Sequence, residues 1–484
     1  MTHTIHLSPD LIRLERGQRL LLVDGQAVRP LAVTQGKEKV AWLLDLCAAR
    51  PQRSAILDRM NDPPLLDALI DHGILRETPP EEGPSPCPVP AARAAGTTPR
   101  RTISLYLLLT QYCNLRCVYC LNGETTYARS RRLKMSPAVA FKAVEVHLAT
   151  LPPDGELEIV FFGGEPLLNW PLAKAVIRHV ESNLKPSWPD RRIRYHCTTN
   201  LTVFPPDLID WAKRYDMTFL VDVDGTSDIH NAQRPGRSID SYARTAANIA
   251  RLARAGIAPA LRTTVTGANV ERIPEISRLH RDLGGGSSAF VPLNPVNSDE
   301  LILPESLYPA PARLADGLSR LFEAGIWEDR LLYPLNEFAG RIHPGARSPL
   351  ACGAPFGCTP VVDCTGEIFA CIYLVGIERY RLGNVFDPAY PRQDVLLGLR
   401  EVLHVDADSV CSACAYRYLC GGGCPVGKLT VAANPASSQR ATAYAREVPC
   451  AMAKTSINHA LWRLVDAIRA FGNAAGGANA CRPT

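Results

Sequence analysis

The sequence predicts an α/β protein: a central domain built on a parallel sheet or barrel, a small N-terminal βα module and a cysteine-rich C-terminal domain. Apolar strand candidates at Ile103–Thr110, Glu158–Phe162, Ile193–Thr199, Thr218–Val223, Ala258–Val265 and Ala289–Leu293 alternate with helical stretches such as Ala138–Leu148 and Tyr242–Ala255. That alternation is the mark of βα units. Prolines crowd residues 79–100; each removes a backbone donor and favours extended chain, so the segment reads as an interdomain linker. Beyond about Leu350, cysteine, glycine and short turns replace the apolar periodicity. Apolar burial alone does not fold such a segment.

The expected divisions are residues 1–78, a βα module; 79–100, the linker; 101–340, the parallel domain; 341–455, the cysteine-rich domain; and 456–484, a C-terminal helix and flexible tail. In the first module, short apolar strands with a turn at Asp24-Gly25 precede a helix on which Val40, Leu43, Leu44 and Cys47 share one face. A chain of 484 residues needs more than one core. A net charge of +5 with no concentration of Lys and Arg gives nucleic acid nothing to hold. With no basic-then-apolar start and no run of roughly 18 apolar residues, neither a signal peptide nor a membrane span is expected. A cytoplasmic location follows as an expectation, and sixteen cysteines there point to metal or redox use rather than disulfides.

Three of those cysteines form the run Cys113-Asn-Leu-Arg-Cys117-Val-Tyr-Cys120, just past the first strand of the central domain. A loop can wrap three thiolates around one iron–sulfur cube, and three ligands leave one iron open. A zinc knuckle lacking its fourth ligand, or plain buried thiols, is the competing reading. The C-x3-C-x2-C run, with the aromatic Tyr119 before its last cysteine, resembles the signature of the radical SAM superfamily. That resemblance implies a partial (β/α)6 TIM-like barrel, a [4Fe-4S] cluster on Cys113, Cys117 and Cys120, and S-adenosylmethionine (SAM) chelating the open iron. It implies reductive cleavage of SAM to a 5′-deoxyadenosyl radical, with Tyr119 near the adenine.

One strand later comes Gly163-Gly164-Glu165-Pro166, which resembles the family motif that binds the SAM amino group. Thr199, Asn200 and Asp222, at the ends of the third and fourth strands, resemble positions that contact ribose; ordinary strand-end caps are the alternative. Ligand groups collect at the C-terminal ends of parallel barrel strands.

The C-terminal pattern runs Cys352-x5-Cys358, Gly366-x4-Cys371, Cys411-x2-Cys414-x5-Cys420-x3-Cys424, then Cys450. Those eight thiols make two four-ligand sets, for which zinc is the rival occupant. Spacing and the Cys420-Gly-Gly-Gly-Cys424-Pro core resemble the SPASM domain of radical SAM enzymes that modify peptides and proteins. By that resemblance Cys352, Cys358, Cys371 and Cys424 hold an inner auxiliary cluster, and Cys411, Cys414, Cys420 and Cys450 an outer one, for three [4Fe-4S] clusters in all. Relatives that oxidise a sulfatase side chain carry an acidic base directly after the equivalent of Cys371, where this chain has Ile372. Asp363 and Glu367 are the candidates to replace it, against a solvated-turn role for each. Cys47, Cys87, Cys197, Cys364 and Cys481 fall outside both sets.

The N-terminal pattern resembles the small winged-helix-like peptide-recognition modules of enzymes that tailor ribosomally made peptides, which bind a leader peptide as an added strand. A structural cap and a DNA-binding winged helix are the alternatives. The expected function is therefore a radical SAM maturase of a ribosomally made peptide or protein, fed electrons by a flavodoxin or ferredoxin and forming a thioether or other crosslink; a maturase like that of quinohemoprotein amine dehydrogenase is one option. The rivals are a side-chain dehydrogenase or sulfatase-type maturase and, in another class, a non-catalytic zinc or electron-transfer protein.

Overall fold

The computed structural model describes residues 4–60, 62–78, 101–120, 133–295, 303–327, 330–343, 348–433 and 438–477. The expected linker with Cys87, and the tail with Cys481, lie outside the described residues.

The first module holds five strands, β1 (Thr4–Leu7), β2 (Leu11–Arg16), β3 (Arg19–Asp24), β4 (Leu31–Val33) and β5 (Leu75–Thr78), and helices Lys37–Cys47, Arg53–Met60 and Pro63–Asp71. Its first and last strands pair antiparallel, while β2, β3 and β4 form a separate meander. Strand β3 is apolar along nearly its whole length because both its faces are covered. Leu20 and Leu22 join the module's own core with Leu43, Cys47 and Leu66. Leu21 and Val23 pack instead in a core shared with Tyr444, Ile457 and Trp462. Alternate residues of a strand point to opposite faces, so one strand serves two cores.

A second sheet contains β6 (Thr102–Thr110), β7 (Glu156–Gly163), β8 (Arg192–Thr199), β9 (Thr218–Asp222), β10 (Ala260–Val265), β11 (Ser287–Pro292) and β12 (Leu332–Tyr333). Each lies parallel to its predecessor in the order β6 to β12 without a crossover, the winding of a barrel rather than of a doubly wound sheet. Helices cover the outer face. Helix Pro137–Ala149 starts at Ser136, whose hydroxyl accepts from the Val139 amide at 3.3 Å, and buries Ala140, Ala143, Val144 and Leu148. Helix Ser241–Arg254 is capped by Asp240 and buries Thr245, Ile249 and Leu252.

On the far side of β6 the sheet continues into the cysteine-rich region. Strand β13 (Val361–Val362) pairs parallel with β6 at Tyr106 and Leu107, and β14 (Glu367–Phe369) and β15 (Arg381–Asn384) follow antiparallel. This hairpin carries Cys371 to the barrel rim. The expected boundary at 455/456 falls inside one helix, Gln439–Gly477, that bears Cys450 and continues through the shared core; periodic burial of Ala441, Tyr444, Val448, Met452, Ile457 and Leu461 keeps it whole. Among the described residues no helix is long and apolar enough to cross a membrane.

Candidate functional site

A cavity of about 470 Å³ opens inside the barrel. Cys113, Cys117 and Cys120 all line it, on the loop that leaves β6. The loop is pinned from two sides. The Arg116 and Val118 amides donate to the carbonyls of Pro235 and Gln233 at 2.8 and 2.9 Å, and the Cys120 amide donates to Cys117 at 3.1 Å. Asn200 Nδ2 lies 3.8 Å from Cys113 Sγ, and Arg234 Nη1 lies 3.8 Å from Cys117 Sγ. Burial pushes the Cys113 thiol up to about 12 and the Cys117 thiol well above its ordinary value. Thiols so placed ionise only against a positive partner, which iron provides, so this soft donor set fits an iron–sulfur cluster. Among the described residues no three His, Cys, Asp or Glu side chains converge on a single ion; the thiolates of a cube each hold a different iron.

Gly163 and Gly164 also face the cavity. Gly163 has φ 134°, which favours glycine, and a Cβ on Gly164 would collide with the carbonyl oxygen of Tyr112. The backbone here is thus pressed against the cysteine loop. The Glu165 side chain departs from expectation. It does not line the cavity; it is fully buried and accepts from the Thr199 hydroxyl at 2.6 Å, the Asn200 amide at 2.9 Å and the Leu167 amide at 3.0 Å. Three buried donors claim the carboxylate, so it tethers the end of β8. Thr199, Asn200 and Asp222 do face the cavity.

Asp222 is not a free acceptor. Its carboxylate takes Arg262 Nε at 2.7 Å and Arg234 Nη1 at 3.2 Å. Burial works to raise it, but the two guanidiniums hold its carboxyl below the usual range. Arg234 also donates to Asp224 at 2.8 Å, and Asp224 in turn accepts from the Tyr119 hydroxyl. This chain, Arg262–Asp222–Arg234–Asp224–Tyr119, buried from Asp222 onward, locks the aromatic residue of the cysteine run. Arg234 and Asp224 escaped sequence reading, since a lone Arg and a lone Asp on a loop carry no spacing signal.

At the other end of the cavity stand Tyr106, Glu158, His196, Arg262, Ile372 and Tyr373. Cys371 lies directly behind: it is charge-coupled to Cys424 and Cys352, and Tyr373 feels both Cys424 and Cys371. Cys358 packs against Gly353, beside Cys352. Cys420 feels Cys450 and Cys411, and Cys450 feels Cys414. Electrostatics thus relate Cys371 to Cys424 and Cys352, and Cys420 to Cys411 and Cys450, with Cys414 acting on Cys450.

Asp363 and Glu367 do not reach the cavity. Asp363 closes its own turn, accepting from Thr365 and from the Glu367 amide at 3.0 Å, and Glu367 is bound by Arg381 at 2.9 Å and Asn384 at 3.0 Å. Both are spent on the hairpin, as short polar side chains at turns commonly are. Cys47 and Cys197 are buried in apolar cores, and Cys364 donates to the Leu108 carbonyl at 3.1 Å.

Residues 107–280 match the family model of the radical SAM superfamily. The chain contains a radical SAM domain. Radical SAM cyclopropyl synthase TigE of Paramaledivibacter caminithermalis is 26% identical over 28% of this chain and 29% of its own length. Mycofactocin maturase MftC of Mycobacterium tuberculosis is 24% identical over 66% of this chain and 77% of its own. An uncharacterized protein of Methanocaldococcus jannaschii, at 28% identity, matches over 65% of its length, so this chain spans under two thirds of that relative and of TigE. In fold, the radical SAM domain and its surroundings resemble anSMEcpe with bound AdoMet, with TM-score 0.60 and 18% identity over 75% of this chain and 98% of that one. Streptococcus suis SuiB gives TM-score 0.51 and 15% identity over 88% of this chain and 96% of its own.

Proposed function

We propose that this chain is a SAM-dependent radical maturase of a ribosomally made peptide or protein, with a SPASM-type domain holding two auxiliary clusters. The observation that carries the reading is one cavity lined both by Cys113, Cys117 and Cys120 and by Ile372 and Tyr373, the two residues that follow Cys371 in the chain. The names of relatives support it, since MftC is a maturase and SuiB has been crystallised with its precursor peptide SuiA.

When bound, the cluster and SAM supply a 5′-deoxyadenosyl radical, which removes a hydrogen atom from a substrate carbon. The chain's own residues do the rest. Cys113, Cys117 and Cys120 would hold the cluster, and the bare backbone at Gly163 and Gly164 would leave room for SAM. Thr199, Asn200 and Asp222 line the same cavity and would bound it, and the Arg234 network holds Tyr119, which would contact the adenine. Apolar Ile372 gives the substrate a dry surface at the auxiliary end. The product we propose is a thioether between a substrate cysteine and a carbon of another residue; Cys352, Cys358, Cys371 and Cys424 would hold the inner auxiliary cluster, which would supply an electron acceptor as that bond forms. A flavodoxin or ferredoxin is the proposed electron donor.

The test begins with anaerobic reconstitution, which should load on the order of twelve irons per chain, four for each cluster. Short cysteine-containing peptides encoded beside the gene are then incubated with the loaded enzyme, SAM and dithionite, alkylated, and sequenced by tandem mass spectrometry. A thioether leaves a cysteine that no longer takes the alkylating reagent. Loss of two hydrogens elsewhere, with the cysteine still alkylated, rejects the thioether in favour of side-chain dehydrogenation.

A further inference from the structure

We infer that Glu158, seated with His196 in the barrel lumen, accepts the proton that the substrate loses at the auxiliary-cluster end of the cavity. This rests on the function proposed above and supplies the base missing at Ile372.

The placement follows from strand register. Strand β7 pairs with β8 so that Val160 lies opposite His196. Glu158, Val160, His196 and Thr198 all point into the cavity, alternate residues sharing one face. Ser104 donates its hydroxyl to Glu158 Oε2 at 2.8 Å, and His196 Nδ1 lies 2.8 Å from the Thr218 hydroxyl. Tyr106, across the lumen, feels the charges of Cys371, Glu158 and Arg262, which ties this pair to the inner auxiliary cysteines.

The other groups around the pair are unsuited to the task. Arg262 is a cation already bound to Asp222, and Asp222 is clamped between two guanidiniums. Arg194, near His196, is paired with Glu156. Burial raises the phenols of Tyr106 and Tyr373, so both already carry their proton. Burial also lowers His196 and keeps it neutral.

The substrate's balance is one hydrogen atom, one electron and one proton. The hydrogen atom leaves with 5′-deoxyadenosine. As the new bond closes, the electron passes to an oxidised four-iron cluster on the Cys371 set and the proton to Glu158. Separated charge is costly in a low-dielectric cavity, so a proton landing beside the cluster that takes the electron leaves the net charge of that end unchanged.

The same coupling would operate without substrate: an electron placed on the inner auxiliary cluster favours the protonated form of a nearby carboxylate, here Glu158. Infrared difference spectra of the reconstituted enzyme are recorded as its clusters are reduced electrochemically, in H2O and D2O. We expect a carboxylic-acid carbonyl band that shifts in D2O, disappears in Glu158→Gln, moves in Glu158→Asp and persists in Glu367→Gln. Iron content and circular dichroism matching wild type exclude misfolding. The same band in Glu158→Gln, or none in wild type while electron paramagnetic resonance shows the auxiliary clusters reduced, overturns the inference alone. Wild type without any auxiliary-cluster signal overturns the underlying reading as well.

Discussion

The Thr199 hydroxyl donates to the Glu165 carboxylate at 2.6 Å, fastening the end of the third barrel strand to the loop after the second. Glu165→Ala leaves three buried donors without an acceptor and should cost about 1–3 kcal/mol of stability. The same carboxylate predicts a pH dependence. Burial raises it from 4.5 to about 7, so the folded chain keeps a proton that the unfolded chain has already released. Stability from this group is then full below 4.5 and declines as pH rises towards about 7. Urea denaturation across that range should show the decline in wild type and a flatter profile in Glu165→Gln.

Gly164 lies where a Cβ would strike the Tyr112 carbonyl, one residue before Cys113. Backbone cannot yield as a flexible side chain does, so Gly164→Ala should lower stability by about 1–3 kcal/mol and displace the cysteine loop. Iron content should fall with it. A Gly164→Ala protein with wild-type melting temperature and iron content would show that the contact is not tight.

Arg234 is buried between Asp222 and Asp224. Arg234→Met leaves buried Asp224 without its cation, while Asp222 keeps Arg262; breaking a buried pair costs roughly 3–5 kcal/mol in known cases. Adding Asp224→Asn should recover part of the loss, because the stranded charge is gone. Thermal melts of the single and double variants measure this; no recovery would mean the pair is not coupled.

The sequence marks what repeats and leaves unmarked what does not. Barrel strands were legible because their apolar runs are long: Ile103–Thr110 is observed as Thr102–Thr110, and Ile193–Thr199 as Arg192–Thr199. Cysteine spacing made all eleven expected thiol ligands legible as candidates. The motif at Glu165 locates a strand end but carries no signal for the partners of its carboxylate. Arg234 and Asp224 were invisible, as single charges joined only by the fold. The pairing of β1 with β5 spans the whole first module and has no local signal.

The first module is packed into the rest of the chain. Ile12, Leu21 and Val23 share a core with Tyr444 and Trp462, and buried Asp10 is paired with Arg417. Deleting the module strips that apolar face and leaves Arg417 without Asp10. We predict a truncated chain that melts lower and aggregates. Point changes on the edge strand β4, such as Ala32→Pro, are the better probe of leader-peptide binding by the intact module. Titration with a fluorescent precursor peptide should show weaker binding with circular dichroism preserved; unaltered affinity would leave the module as a structural cap.

The central claim is that Cys113, Cys117 and Cys120 hold the cluster that cleaves SAM. Release of 5′-deoxyadenosine from SAM and dithionite, measured by liquid chromatography on anaerobically reconstituted protein, tests it most directly. Wild type should release it, and the variant with all three changed to Ala should release none while retaining the iron of the two auxiliary sets. Continued release of 5′-deoxyadenosine by that variant would contradict the assignment.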